Sequence, residues 1–135
     1  MTGIRPNKEQ FIELMNAPDE GPVVMLNLLK FKPRDGAKEY GKYGESVSKM
    51  VEARGGKVIW TGRPEHVLIG DSQHDDWDLV ALVSYPSRSA FIDMVTSPKY
   101  EEAHEHRERG LDRTVLLACE PLLNALLSAR ADGDG

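Results

Sequence analysis

The sequence predicts an α+β subunit, an antiparallel sheet with its helices gathered on one face. Three observations support this. Apolar runs too short to be buried helices alternate with longer stretches of helical spacing, in the order β-α-β-β-α-β behind one leading helix. Gly, Pro and Ser-Pro steps fall between these runs, where turns and caps belong. A length of 135 residues, 40% of them hydrophobic, supplies a core for one domain spanning 1–135.

PNKEQFIELMNAP places Phe11, Ile12 and Met15 on one helical face, and Pro18 stops the pattern, so a short amphipathic helix is expected over 7–16. GPVVMLNLLKFK is a continuous apolar run opened by Gly21-Pro22 and reads as a first strand, 22–31. Between Asp35 and Arg54, Tyr40, Tyr43, Val47, Met50 and Val51 form one helical stripe, and Gly55-Gly56 closes it. KVIWTG and HVLIGD are β-branched runs split by Arg63-Pro64 and are expected to form one bent strand region. DSQHDD is a turn, and WDLVALVSY a central strand. Ser87 caps a helix over 88–96, and Ser97-Pro98 starts another that runs to about Arg109 and stops at Gly110. TVLLACE is the last strand, and Pro121 opens an apolar C-terminal helix, 121–130.

This order packs as two split βαβ units into a ferredoxin-like half sandwich. Its helices shelter one face of the sheet, yet the middle strands are apolar on both. Val24, Leu26 and Leu28 back onto Val23, Met25 and Leu29, while Val80 and Leu82 back onto Leu79, Ala81 and Val83. The same face of a second copy is the simplest cover, so a homodimer whose two sheets form a barrel is expected.

Composition narrows the function. With 17 Lys+Arg against 22 Asp+Glu the formal charge is −5, which argues against nucleic acid as a partner. No apolar run approaches the roughly 18 residues that span a bilayer, and the opening MTGIRPNKEQ is not a secretory signal, so no membrane association is expected. Cys119 is the single cysteine, too few for a disulfide or a thiolate zinc site, and a cytoplasmic location follows. It reads as an inert core thiol.

The segments VVMLNLLKF, EARGGKVIWTG behind the Tyr40/Tyr43 helix, VLIGD, YPSRSAF and SPKYEEAHEHRERGL carry a resemblance. In that order they resemble the family catalogued as domain of unknown function 1330, within the dimeric α/β barrel group, over residues 22–120. The matching positions are Asn27, Tyr43, Gly55, Gly56, Gly62, Gly70, Pro86, Ser87, Ser97, Pro98, Tyr100 and Arg107. The resemblance implies the fold and the dimer. It selects no reaction, because related barrels include cofactor-free monooxygenases, haem proteins resembling chlorite dismutase, and lactone isomerases. The leading helix and the apolar C-terminal segment lie beyond the shared core; they could add dimer contacts or lid a pocket.

The residues themselves offer one constellation. Tyr100, His104 and Arg107 stand at i, i+4 and i+7, so a helix puts them on one face with Ala103, the face turned toward the sheet. As a site, Arg107 would clamp a carboxylate or enolate oxygen and His104 would move a proton near neutral pH. As structure, Arg107 would pair with Asp78 or Glu45 and His104 would be half exposed. Asn27 interrupts an apolar strand and needs a partner from protein, water or ligand, with Ser84 and Tyr85 expected nearby. Tyr40, Tyr43, Trp60 and Tyr85 would wall a pocket for a small planar or carbonyl-bearing molecule.

Other motifs fail on spacing. Asp71, Gln73 and Asp75 begin like a calcium loop, but Asp76 replaces the turn glycine and Leu82 the bidentate glutamate. His104 and His106 point in nearly opposite directions and cannot share a metal. GxSxG, GxGxxG and GxxxxGK[ST] are missing, so serine-hydrolase, dinucleotide and P-loop readings lack support, and no cofactor and no metal is expected. Two readings stand: a dimeric protein that binds a small organic ligand, with cofactor-independent oxygenation or isomerisation, and a non-enzymatic binding or assembly module with structural buried polar groups.

Overall fold

The computed structural model describes residues 5–18 and 21–122. Helix α1 (Lys8–Asn16) precedes β1 (Val23–Phe31), α2 (Gly36–Ala53), β2 (Lys57–Gly62), β3 (Leu79–Tyr85), α3 (Arg88–Val95), α4 (Pro98–Gly110) and β4 (Leu111–Cys119). The strands form one antiparallel sheet in the order β2-β3-β1-β4, the α+β ferredoxin-like fold that the sequence predicts. Of the expected C-terminal helix only Pro121 and Leu122 are described, both outside regular structure, and 123–130 lie outside the described residues.

Local chemistry sets the boundaries. Asn7 and Gln10 close a capping box on α1. The Ser87 and Ser97 side chains accept from the Ala90 and Tyr100 amides, and Pro98 occupies the first turn of α4. Gly55, at φ 80°, ends α2, and the neighbouring Gly56 donates to the Val51 carbonyl. A Cβ on Gly56 would stand 2.5 Å from the Ser84 carbonyl oxygen, so β2 can approach β3 only with glycine there. Gly36 and Gly110 make a second close approach: a Cβ on either would lie within 2.8 Å of the other's carbonyl oxygen. This contact seats the start of α2 against the end of α4.

Register sorts the side chains into two layers. Val23, Met25, Asn27 and Leu29 of β1 stand beside Tyr85, Val83, Ala81 and Leu79 of β3 and face the helices. The core gathers there, with Tyr43, Val47 and Val51 of α2, Phe91 and Met94 of α3, and Ala103 of α4 packed over Val23, Met25 and Tyr85. Leu26 stands between Leu82 and Leu117 on the other face, and Leu28 between Val80 and Val115. No described helix covers this second apolar layer, and Leu117 is 50% exposed.

The structure corrects several expectations. HVLIGD does not continue the sheet: residues 63–70 form a loop whose tip exposes Leu68 (91%) and Ile69 (98%). Pro64 has no amide proton for a ladder, Gly70 turns the chain at φ 139°, and Asp71 and Asp75 fold the next residues onto themselves. Helix α1 turns Phe11 and Leu14 inward rather than Ile12 and Met15, which are exposed. The last strand begins at Leu111, directly after the helix. Cys119 is half-buried on the uncovered face, opposite Val24, and is not a core thiol. Ser84 shares that uncovered face and is remote from Asn27.

Candidate functional site

Sheet and helices do not close completely on one another. A cavity of about 770 Å³ lies between them, floored by Met25, Asn27, Ala81, Val83 and Tyr85 and walled by α2 and α4. All four tyrosines of the chain, Tyr40, Tyr43, Tyr85 and Tyr100, line it, together with His104 and Arg107. The helical stripe at 100, 104 and 107 therefore faces inward as its spacing predicts. Trp60 does not join these residues. A β-bulge between Val58 and Trp60 reverses the alternation, so Val58 and Thr61 face the helices while Trp60 stands beside Leu82 on the uncovered face, 54% exposed.

The polar groups are chemically distinct. The guanidinium of Arg107 is 5% exposed, its Cζ lies 5.8 Å from the centroid of the Tyr43 ring, and it also reaches the Tyr40 hydroxyl. Burial raises the Tyr40 phenol, and the charge and hydrogen bond of Arg107 partly offset the rise. The Tyr43 and Tyr100 hydroxyls share a hydrogen bond of 2.8 Å, and burial above all pushes Tyr43 well above the usual phenol range. Tyr85 is likewise raised by burial and has only a weak contact from its hydroxyl to the Met94 sulfur. Asn27 donates through Nδ2 to the carbonyls of Met25 and Ala81, each at 3.3 Å. It thus lies on the cavity floor with its amide protons held by the sheet.

His104 is different. It is 4% exposed, and neither Nδ1 nor Nε2 makes a hydrogen bond among the described residues. The nearest carboxylate oxygen, Glu108 Oε1, lies 3.3 Å from Nε2 but off the direction a hydrogen bond needs. Burial, followed by the charges of Arg5 and Arg107, holds the imidazole below its ordinary 6.5, so it is neutral at pH 7. A neutral imidazole can accept a proton at one nitrogen and donate from the other. His106 points outward to Glu39 at 3.0 Å. Among the described residues no cluster of three or more His, Cys, Asp or Glu could hold a metal ion, and no helix is long and apolar enough to cross a membrane.

The leading helix, expected to add dimer contacts or lid a pocket, borders the cavity; the contribution of Arg5 was not foreseen. Arg5, Gln10, Phe11 and Leu14 line one side of the cavity, and Arg5 bonds Glu101 and Glu108 of α4. Nothing in local sequence links Arg5 to residues about a hundred positions away. Asp78, named with Glu45 as a structural partner for Arg107, accepts from the Phe31 amide and from Lys30.

Comparison with known proteins adds the following. The model of a family described as domain of unknown function (DUF1330) matches residues 28–120. A protein of unknown function from Rhodopseudomonas palustris is 39% identical with a TM-score of 0.83, over 90% of this chain and 98% of that one. A dimeric ferredoxin-like protein of unknown function from Jannaschia sp. is 10% identical with a TM-score of 0.56, over 75% of this chain and 100% of that one. The hydroxynitrile lyase of Passiflora edulis is 13% identical with a TM-score of 0.56, over 73% of this chain and 91% of that one. No curated protein matches the sequence.

Proposed function

Since the chain belongs to the DUF1330 family, whose fold leaves its cavity open to many chemistries, we propose that it binds a small organic anion between sheet and helices. Arg107 holds the carboxylate or enolate oxygen, assisted by the Tyr40 hydroxyl, and His104 carries the proton. Tyr43, Tyr85, Tyr100 and the Asn27 floor orient the rest of the molecule against Met25, Val83 and Phe91. The chemistry this set suits is cofactor-independent proton transfer of the isomerase kind, or oxygenation of an enolate. The working unit is a homodimer in the cytoplasm, where the lone thiol of Cys119 stays reduced. The dimeric Jannaschia neighbour supports that assembly.

One observation carries the reading: a buried imidazole on the wall of a cavity, with neither nitrogen in a hydrogen bond among the described residues. Leaving such a group unpaired costs on the order of 1–3 kcal/mol, which a ligand or an enclosed water would recover. Thermal unfolding with benzoate, phenylacetate and hexanoate tests it. A ligand present at 100 times its Kd stabilises by about 2.7 kcal/mol, enough to raise the Tm by several degrees. The rise is expected in the native protein and should vanish in Arg107→Gln and shrink in His104→Gln. A panel that leaves the native Tm unmoved, or that stabilises Arg107→Gln equally, overturns the reading.

A second reading has its own support. The Asn27 amide is satisfied by backbone, and Tyr43 and Tyr100 satisfy each other, as in a module whose polar groups serve packing. Ligand binding without turnover at any pH between 5 and 9 would favour it.

A further inference from the structure

We propose that the N-terminal segment is a strap across the cavity and that Arg5 is a positioning residue for His104: by holding Glu108, it denies the imidazole a carboxylate partner. The inference rests on His104 as the proton carrier and adds what keeps it free. Arg5 Nε donates to Glu108 Oε1 at 2.6 Å, and its Nη2 donates to Glu101 Oε1 at 2.9 Å. The same Glu108 oxygen lies 3.3 Å from His104 Nε2 without a hydrogen bond between them. One carboxylate oxygen therefore lies within reach of both the guanidinium and the neutral imidazole, and its aligned hydrogen bond goes to the strap.

The strap is built to be both ordered and removable. The capping box of Asn7 and Gln10 stabilises α1 internally, yet no α1 residue is buried. Its apolar grip on the cavity is the half-buried pair Phe11 and Leu14, and its far end is held by Arg88 donating to the Pro18 carbonyl at 3.3 Å. The Arg5 ion pairs are surface contacts, individually weak and screened by salt. Lifting the strap would release Glu108, which is four residues from His104 on the same helix and needs only a rotamer change to accept from Nε2. Closed, the site presents a neutral, unpartnered imidazole; open, it presents one paired to Glu108.

The groups facing His104 are Arg5 from the strap, Glu101, Arg107 and Glu108 on α4, and the Tyr100 ring, its centroid 5.7 Å away, itself bonded to Tyr43 of α2. Arg5 and Arg107 oppose protonation and the two glutamates favour it, so removing Arg5 acts in one direction through both charge and hydrogen bonding.

Proton NMR titration of the four histidines tests this on the ligand-free protein, with His104 assigned by its absence from His104→Asn. Arg5→Gln should raise the His104 midpoint, and amides of 8–16 should exchange faster with solvent. In a Glu108→Gln background the same substitution should raise the midpoint by much less, because only the charge of Arg5 is then removed and no carboxylate is left to capture the imidazole. An unmoved midpoint in Arg5→Gln, or a rise equally large in the Glu108→Gln background, overturns the proposal. The titration needs no ligand, so its failure leaves anion binding standing, and a panel of acids that fails to bind leaves the titration standing.

Discussion

A buried neutral imidazole makes stability depend on pH in a direction that can be worked out. The folded state holds His104 below 6.5 mainly by burial, while the unfolded chain protonates it at its ordinary value. Between those two values the unfolded state binds more protons, so stability rises with pH there. The contribution is complete above about pH 6.5 and is lost as pH falls from there toward the depressed folded midpoint. Urea unfolding from pH 7.5 down to 5 should show a falling midpoint in the native protein and a flatter profile in His104→Gln. An identical slope in both would show that the proton uptake belongs elsewhere. His104 also marks what sequence can reveal at this scale. The spacing of Tyr100, His104 and Arg107 on one stripe was enough to place all three at the cavity, because helix geometry is local. Whether His104 had a partner was not legible, since that turns on Glu108 being claimed by Arg5 from a remote segment.

Among the elements, α2 and α4 decide the shape of the site, and their fit depends on two residues without side chains. Gly36 and Gly110 let the two backbones meet, which brings Tyr40 at the start of α2 beside Arg107 in the last turn of α4. A Cβ at Gly110 would lie 2.7 Å from the Gly36 carbonyl oxygen and 2.8 Å from the Tyr40 amide nitrogen, both backbone atoms that cannot step aside cheaply. Gly110→Ala should therefore cost about 1–3 kcal/mol, as overpacking does, despite the better helix propensity of alanine. Urea denaturation measures this. Gly41→Ala supplies the contrast: α2 has open space at that position, so the substitution should be neutral or stabilising. Periodicity gave the helices and most strand ends, but gave Gly110 only as a stop signal. The misplacements have similar causes. Trp60 is expected in the pocket wall as a donor-bearing aromatic on a strand, a reading of residue type that says nothing of its face, and one extra residue at the bulge turns it outward. HVLIGD has strand composition, but the following aspartates bond their own backbone and Pro64 cannot join a ladder, so composition lost to turn chemistry.

For the whole molecule, the decisive quantity is the second apolar layer. Leu26, Leu28, Val80, Leu82, Val115 and Leu117 occupy the sheet face away from the helices, with Trp60 at its β2 border. Each aliphatic side chain fully removed from water contributes about 1.5–3 kcal/mol, so a face of this composition is costly to leave wet. A twofold arrangement would cover it with an identical surface, the row Trp60-Leu82-Leu26-Leu117 of each copy set against the other's layer. Lys30, Arg113, Asp76 and Asp78 close one end of the same face with ion pairs, a polar border that fixes where the apolar contact stops. The dimer proposed on this basis should sediment as a single species of twice the 15.1 kDa subunit mass at micromolar concentration, with a Tm that rises with protein concentration. Leu26→Glu places a charge at the centre of the patch, where both copies would bury it unpaired, and should shift the protein to monomer while leaving far-ultraviolet circular dichroism unchanged. Leu68→Ser, at the exposed tip of the 63–70 loop, should do much less. A native protein that sediments as a lone subunit at that concentration, or a Leu26→Glu variant that remains dimeric, would mean that the sheet face is not where two copies meet. The cavity would then have to be understood within one subunit alone.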